Sequence, residues 1–398
     1  MRGFYVRVAI VHDWLVTYAG SERVVEQLLT LFPQADLFSL IDFVPAHERG
    51  FLCGKTVRTS FLQRMPLARR AYQNYLPLMP LAIEQFDLSA YDLVISSSHC
   101  VAKGVITGPD QLHVSYVHTP MRYAWDAQHE YLAGAGLNRG LRGLLARWML
   151  HKLRLWDVRS ANGVDAFVAN SDFIARRIEK TYRRPARVIH PPVDIDAFAA
   201  RSDREEFYVT ASRLVPYKRV DVLVEAFARL PGKRLVVVGE GSQLKSLRAR
   251  ATPNVTLLGY QGFDVLRSHL ERARAFLFAG REDFGIVLAE AQAAGCPLIA
   301  YGKGGAADIV RGSECERPTG ILFDEQTPEA VVAAIENFER ESKMFSAAAC
   351  RANAERFSQV RFRREFHDHV MDAWDDFRGN HTAEGHGELQ AIGSRQAA

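Results

Sequence analysis

The chain has 398 residues, 48% of them hydrophobic and 24% charged, with a formal net charge of +4. That length exceeds what one hydrophobic core supports, so two domains are expected, and the mixture is that of a globular protein, not a fibrous or disordered one. The small charge implies no nucleic-acid partner, and five widely spaced cysteines without a C-x-x-C pair point to neither a disulfide framework nor a zinc knuckle but to a reducing cytoplasm.

Arg2 and Arg7, followed by Val8-Ala9-Ile10-Val11, resemble the start of a signal peptide, but His12 and Asp13 cut the apolar run short. A first buried strand over Arg7–His12 is the better reading. No run approaches the roughly 18 apolar residues of a membrane-spanning helix. An amphipathic helix over Ser21–Phe32 follows, then β-rich runs at Tyr91–Ser96, His113–His118 and Val164–Ala169. Asn170-Ser171-Asp172 supplies an N-cap for a helix over Phe173–Tyr182. Arg187–His190 stops at Pro191-Pro192, and the stretch Pro191–Glu205 reads as a linker.

The alternation then restarts. Strands are expected at Phe207–Ala211, Arg234–Gly239, Val255–Leu258, Ala275–Ala279 and Pro297–Tyr301, with helices over Arg219–Leu230, Ser242–Arg250, Phe263–Ala273 and Gly285–Gly295 between them. Strands separated by helices build parallel sheets from right-handed crossovers. The expected fold is therefore α/β: two Rossmann-like doubly wound domains facing across a cleft. The boundaries are 1–195 for the first domain and 196–360 for the second. A helix over 361–378 could return to the first domain, and a polar tail over 379–398 is expected to be disordered.

Two loops carry the strongest chemical signals. In Glu282-Asp283-Phe284-Gly285-Ile286-Val287-Leu288-Ala289-Glu290, a helix should begin at Phe284-Gly285-Ile286. Its unpaired N–H groups and dipole suit a diphosphate. Glu282 could accept hydrogen bonds from sugar hydroxyls, and Glu290 from a ribose; two surface glutamates would read the same way. Ser212-Arg213-Leu214-Val215-Pro216-Tyr217-Lys218 follows the first strand of the second block. Arg213 offers a planar phosphate fork and Lys218 a point charge.

These motifs, in this order, resemble glycosyltransferase family 4, retaining enzymes of the GT-B fold. The carrying residues are Glu282-x7-Glu290 with Phe284-Gly285-Ile286-Val287, Arg213 with Lys218, Gly239-Glu240-Gly241, Gly304-Gly305, Asn170-Ser171 and Pro191-Pro192-Val193-Asp194. The N-terminal half resembles bacterial mannosyltransferases of O-antigen and exopolysaccharide synthesis, through His12-Asp13-Trp14-Leu15, Gly20-Ser21-Glu22-Arg23, Leu76–Pro80 and Tyr116-Val117-His118-Thr119-Pro120. The resemblance implies GDP-mannose as donor, a lipid-linked saccharide acceptor and no metal cofactor. His118 would lie beside the donor sugar, with Arg213, Lys218 and Glu282 as the other catalytic groups. Gly20, Gly239, Phe284, Gly285, Ile286, Val287 and Glu290 would bind the donor. A sugar-nucleotide epimerase of the same fold and a non-catalytic nucleotide-sugar sensor are the alternatives.

Other features carry less. Asp194-Ile195-Asp196 is a D-x-D, but it follows the Pro-Pro stretch, away from any expected cleft strand. His12-Asp13 and His99-Cys100 do not converge with metal ligands at a recognisable spacing. Gly140–Trp156 is free of acids and interleaves Arg142, Arg147, Lys152 and Arg154 with leucines, Trp148 and Met149. Lys55–Tyr72 is also acid-free. Such basic segments suit an anionic membrane surface, and equally a helix packed into its domain with a solvated face. A cytoplasmic protein is expected, peripheral on the inner membrane face in the first of these readings.

Overall fold

The structure, a computed structural model, describes residues 6–395, with side chains described to Gly379. The chain divides into two compact units. The first holds the residues up to Asn170, Ile174–Ile189 and the chain from Phe362 onward; the second holds Ser171–Phe173 and His190–Arg361.

The first unit carries a seven-stranded sheet. Its strands are β1 (Val8–His12), β2 (Asp36–Ser39), β3 (Val57–Thr59), β4 (Leu93–Ser98), β5 (Leu112–Val117), β6 (Ala166–Ala169) and β7 (Arg187–Val188), in the order β3-β2-β1-β4-β5-β6-β7. Every pairing is parallel. β1, β4 and β5 are buried along their whole length, as expected for strands covered on both faces. Polar residues of β4 and β5 bond to one another: Ser96 Oγ lies 2.8 Å from His113 Nε2 and donates to Ser115 Oγ at 2.9 Å. The short strands β2 and β3 carry no sequence signal strong enough to have been expected.

The second unit carries six strands: β8 (Glu205–Ala211), β9 (Arg234–Val238), β10 (Val255–Gly259), β11 (Ala273–Phe278), β12 (Leu298–Tyr301) and β13 (Gly320–Phe323). Their order is β10-β9-β8-β11-β12-β13, again all parallel. Both sheets therefore have a doubly wound order with one reversal, at β1/β4 and at β8/β11. Ligands of such sheets bind beyond the carboxyl ends of the strands at that reversal.

One connecting segment differs from the sequence expectation. The stretch read as a linker buries Val193, Ile195 and Phe198 in the core of the second unit. Its prolines interrupt regular structure, but its apolar side chains still find a place to pack. The last helix, Gln359–Arg395, places Phe362, Phe366 and Val370 in the core of the first unit beside Ile10, Val114 and Tyr116. Burying the two phenylalanines contributes about 3–6 kcal/mol. The bounds of this helix overlap the tail expected to be disordered, residues 379–398, whose side chains beyond Gly379 lie outside those described.

Candidate active site

In the second unit, three loops meet at the β8/β11 reversal by close backbone approach. A Cβ added at Gly280 would stand 3.1 Å from Lys218 Cα. One added at Gly305 would stand 2.3 Å from Phe284 Cα, and Gly305 N–H donates to the Glu282 carbonyl at 2.9 Å. The glycine pair Gly304-Gly305 thus lets the chain after β12 lie flat against Glu282–Phe284. Gly239 serves a similar end: its Cβ would collide with the Ser212 carbonyl. That accounts for this glycine by packing of the loop after β9 on the loop after β8.

Within this frame Lys218 and Glu282 form an ion pair, their side chains 12% and 18% exposed. The lysine ammonium also lies over the Tyr217 and Phe278 rings, at 5.3 and 5.8 Å from their centroids. Arg213 is exposed and donates from Nη2 to the Tyr217 hydroxyl at 2.9 Å. The lysine expected to meet phosphate and the glutamate expected to meet sugar therefore hold each other. A ligand with an anionic end and hydroxyls could take both partners at once.

The helix Ile286–Ala293 begins beside this pair, capped by Gly285 at φ +92°. Glycine takes that left-handed conformation without the clash a side chain would bring. The side chain of Phe284 turns inward: it is 3% exposed, stacks on His190 and meets Phe357. Only its backbone can serve a ligand, and Ile286 and Val287 likewise pack their side chains against the core. Glu290 is 4% exposed. Asp196 of the D-x-D accepts from Arg351 Nη2 at 2.9 Å, and Ile195 between the aspartates is core.

In the first unit, the β1/β4 reversal collects polar groups that the sequence keeps far apart. The parallel register sets His12 opposite Ser97. His12 Nδ1 lies 3.1 Å from Ser97 Oγ, which lies 2.8 Å from His118 Nε2, just beyond β5. Glu22, in the first turn of the helix Gly20–Leu31, reaches within 3.5 Å of His12 Nε2. Its other oxygen accepts from Ala19 N–H and Ser21 Oγ, so it also caps the helix that Gly20 begins. Asp13, fully buried, accepts four backbone N–H groups from His99 to Ala102 at 2.6–2.9 Å. His99 Nδ1 lies 3.2 Å from the same carboxylate. Among the described residues no group of three or more His, Cys, Asp or Glu side chains is placed to hold a metal; His12 instead bonds to Ser97, and His99 N–H donates to Asp13.

Burial pushes His118 well below the usual histidine value, and the neighbouring His99 and His12 add to the effect. Burial lowers His99 too, against the pull of Asp13. Burial alone would raise Glu22, but its contact with His12 outweighs that and holds it below the ordinary carboxylate value. The site in this unit is thus a neutral imidazole backed by an anionic carboxylate. Motif reading singled out His118 but not Ser97 or Glu22 as its partners. The polar run Ser96-Ser97-Ser98-His99 ending an apolar strand was the available signal.

The basic helix, Gly140–Ser160, is anchored from within the first unit. Its Asp157 pairs with Lys103 at 2.7 Å, both buried, and accepts from Trp125 Nε1 at 2.8 Å. Leu141, Leu144, Leu145 and Trp148 are exposed, at 85, 65, 63 and 57%. Arg142 and Lys152 are exposed beside them. Arg147 instead donates to the Asn138 carbonyl, and Arg154 to the Ala124 carbonyl and Gln128. Trp156 turns inward, its Nε1 donating to Glu84 at 2.6 Å. Two of the four basic residues expected on a membrane face are therefore held by their own unit. Among the described residues no helix is long and apolar enough to cross a membrane.

Comparison with known proteins matches residues 18–197 to the Glycosyltransferase Family 4 model and residues 194–357 to the Glycosyl transferases group 1 model. A GDP-mannose-dependent alpha-(1-6)-phosphatidylinositol monomannoside mannosyltransferase of Mycobacterium tuberculosis is 32% identical over 208 residues, covering 44% of this chain and 53% of that protein. A D-inositol 3-phosphate glycosyltransferase of Mycobacterium bovis is 33% identical over 172 residues, 37% of this chain and 36% of that protein. The chain thus spans about half the length, or less, of the curated relatives it matches. Among solved structures, Anabaena HepE in complex with UDP has a TM-score of 0.67 at 17% identity, covering 92% of this chain and all of that one. Sucrose-phosphate synthase from Thermosynechococcus elongatus has a TM-score of 0.71 at 16% identity, over 93% of this chain and 100% of the other. At such identities the likeness is one of fold.

Proposed function

The chain is a GT-B glycosyltransferase built from a Family 4 domain and a group 1 domain, and on that premise we propose that it transfers mannose from GDP-mannose, with retention, to a lipid-linked saccharide of a cell-surface polysaccharide such as O-antigen. The donor assignment draws support from the mycobacterial relative whose name specifies GDP-mannose. That relative's acceptor is itself a phospholipid glycoside, which supports a lipid-linked acceptor here.

The observation that carries the reading is the Lys218–Glu282 pair at the β8/β11 reversal. A nucleotide diphosphate draws the ammonium away and releases the carboxylate to the sugar hydroxyls. Arg213, Lys218 and the backbone N–H groups at the start of the helix Ile286–Ala293 then stabilise charge growing on the leaving diphosphate. No metal is required in this scheme. Glu282 orients the sugar, and His118 is the residue of the first unit assigned to it. Sugar transfer proceeds by same-face attack: the anomeric bond to the diphosphate breaks, the acceptor oxygen bonds to the anomeric carbon, and the acceptor proton passes to the departing phosphate. The exposed leucines, Trp148, Arg142 and Lys152 of the helix Gly140–Ser160 hold the enzyme on anionic lipid at the inner membrane face.

The test is slow donor hydrolysis across a panel of nucleotide sugars, with calorimetry of GDP and UDP. GDP-mannose is expected to be consumed fastest, and GDP to bind about tenfold tighter, a difference of about 1.4 kcal/mol. Turnover is expected to persist in excess EDTA. Tighter UDP binding overturns the GDP-mannose assignment, and loss of activity in EDTA with recovery on manganese overturns the metal-free scheme.

A further inference from the structure

Four side chains in the first unit form a continuous polar path that ends on His118. Glu22 Oε1 lies 3.5 Å from His12 Nε2. His12 Nδ1 lies 3.1 Å from both the carbonyl oxygen and Oγ of Ser97. Ser97 Oγ lies 2.8 Å from His118 Nε2. Glu22, His12 and Ser97 are buried, whereas His118 at the end of the path is partly exposed.

The direction of the hydrogen bonds follows from what each atom can do. A carbonyl oxygen only accepts, so His12 Nδ1 must carry a proton and donate to Ser97. Ser97 Oγ receives a share of that bond and has one hydrogen of its own. The remaining neighbour for that hydrogen is His118 Nε2, which therefore accepts. A neutral imidazole that accepts at Nε2 is protonated at Nδ1.

We propose that Glu22, His12 and Ser97 are positioning residues that hold His118 as a neutral Nδ1–H donor toward the donor sugar. This rests on the reading of His118 as a sugar contact. A neutral donor can bind a hydroxyl or ring oxygen without placing a cation beside the positive charge that grows on the sugar as the diphosphate leaves. An imidazolium at the same place would oppose that charge. The other groups facing His118 fit the assignment. The His99 ring stands 6.1 Å away and is paired with Asp13, and the Tyr116 ring stands 5.1 Å away. The Asn170 amide donates to the His118 carbonyl at 2.9 Å, fixing the backbone. Burial disfavours the protonated form of His118, and the neighbouring His99 and His12 add to that.

Ring-nitrogen NMR of the whole protein without nucleotide reads the tautomer, with the His118 signals assigned by their loss in His118→Asn. The wild type is expected to show His118 as the neutral Nδ1–H form at pH 7. Ser97→Ala is expected to move it to the Nε2–H form or a mixture, and to lower kcat about tenfold with donor KM little changed, the size of one neutral hydrogen bond. Ser97→Thr, which keeps the hydroxyl, is expected to restore both. An Nε2–H or imidazolium form in the wild type overturns the proposal, as does an unaltered tautomer in Ser97→Ala. The wild-type spectrum decides the tautomer by itself, even if a variant fails to fold. Because the spectra need no substrate, a donor panel without mannose transfer overturns the functional reading and leaves the tautomer assignment standing.

Discussion

The two sheets reverse their strand order at equivalent places, beside β1 in the first unit and beside β8 in the second, yet they furnish those places differently. The first reversal holds His12 and Ser97, both without exposure to solvent. The second holds Lys218 and Glu282, which keep 12% and 18% of their side-chain surface in solvent. Depth accounts for much of the contrast. Groups that lose all water need directional partners, and an imidazole and a hydroxyl can supply them. Charges that keep some water can pair, separate and pair again with a ligand at moderate cost. One doubly wound frame can therefore provide a fixed neutral donor in one unit and an exchangeable ion pair in the other.

The largest expected effect is at the exchangeable pair. Lys218→Ala is expected to cut turnover about a hundredfold while lowering GDP affinity much less, because leaving-group charge is greatest in the transition state. Single-turnover kinetics beside GDP calorimetry separates the two. Near-wild-type turnover would put the phosphates elsewhere and end the contrast.

Acid should distinguish the units next. Burial lowers His113 in the first unit to about 4 from 6.5. Between those values the unfolded chain binds the extra proton, so stability falls as pH drops from about 6.5 to about 4, by roughly 3 kcal/mol from this residue. His99 and His118, also lowered, act in the same direction. In the second unit, burial works to raise Glu339, but hydrogen bonds from Arg274, Lys233 and Tyr208 bring it down to about 2 from 4.5. Its contribution is complete above the unfolded value and is lost as pH falls from about 4.5 to about 2. Calorimetric melts from pH 7.5 to pH 3 should show the first unit weakening before the second. A transition insensitive to pH above 5 contradicts this order.

The smallest effect is expected on the basic helix. Arg142→Glu with Lys152→Glu should weaken sedimentation with anionic vesicles at low salt about tenfold, on the basis of roughly 1 kcal/mol per basic residue near the surface. Donor hydrolysis in solution should be unchanged. Equal partitioning of the wild type onto neutral and anionic vesicles removes the electrostatic attachment.

Much of this architecture was legible in the chain because buried parallel strands announce themselves as apolar runs. Val8-Ala9-Ile10-Val11 and Leu235-Val236-Val237-Val238 are examples. The site loops of the second unit were legible because they are local: Lys218 and Glu282 each follow a recognisable strand. The partners of His118 were not. They depend on the β1/β4 register that sets His12 opposite Ser97, a long-range fact that no short window contains. The fates of Phe284, Arg147 and Arg154 were hidden for the same reason. Whether a side chain turns to solvent or to a distant carbonyl is decided by tertiary neighbours.

The return of the last helix to the first unit has a consequence for the birth of the protein. A ribosome delivers the first sheet before the second unit, but that sheet's core lacks Phe362, Phe366 and Val370 until the second unit has been made. The second unit, continuous from His190 to Arg361 apart from three residues, has all its material before that moment. The usual order of nascent domains, N-terminal first, is thereby inverted at the last step. The unit that begins first is sealed last, and a nascent chain stalled before Phe362 exposes an apolar seam on the half that carries His118.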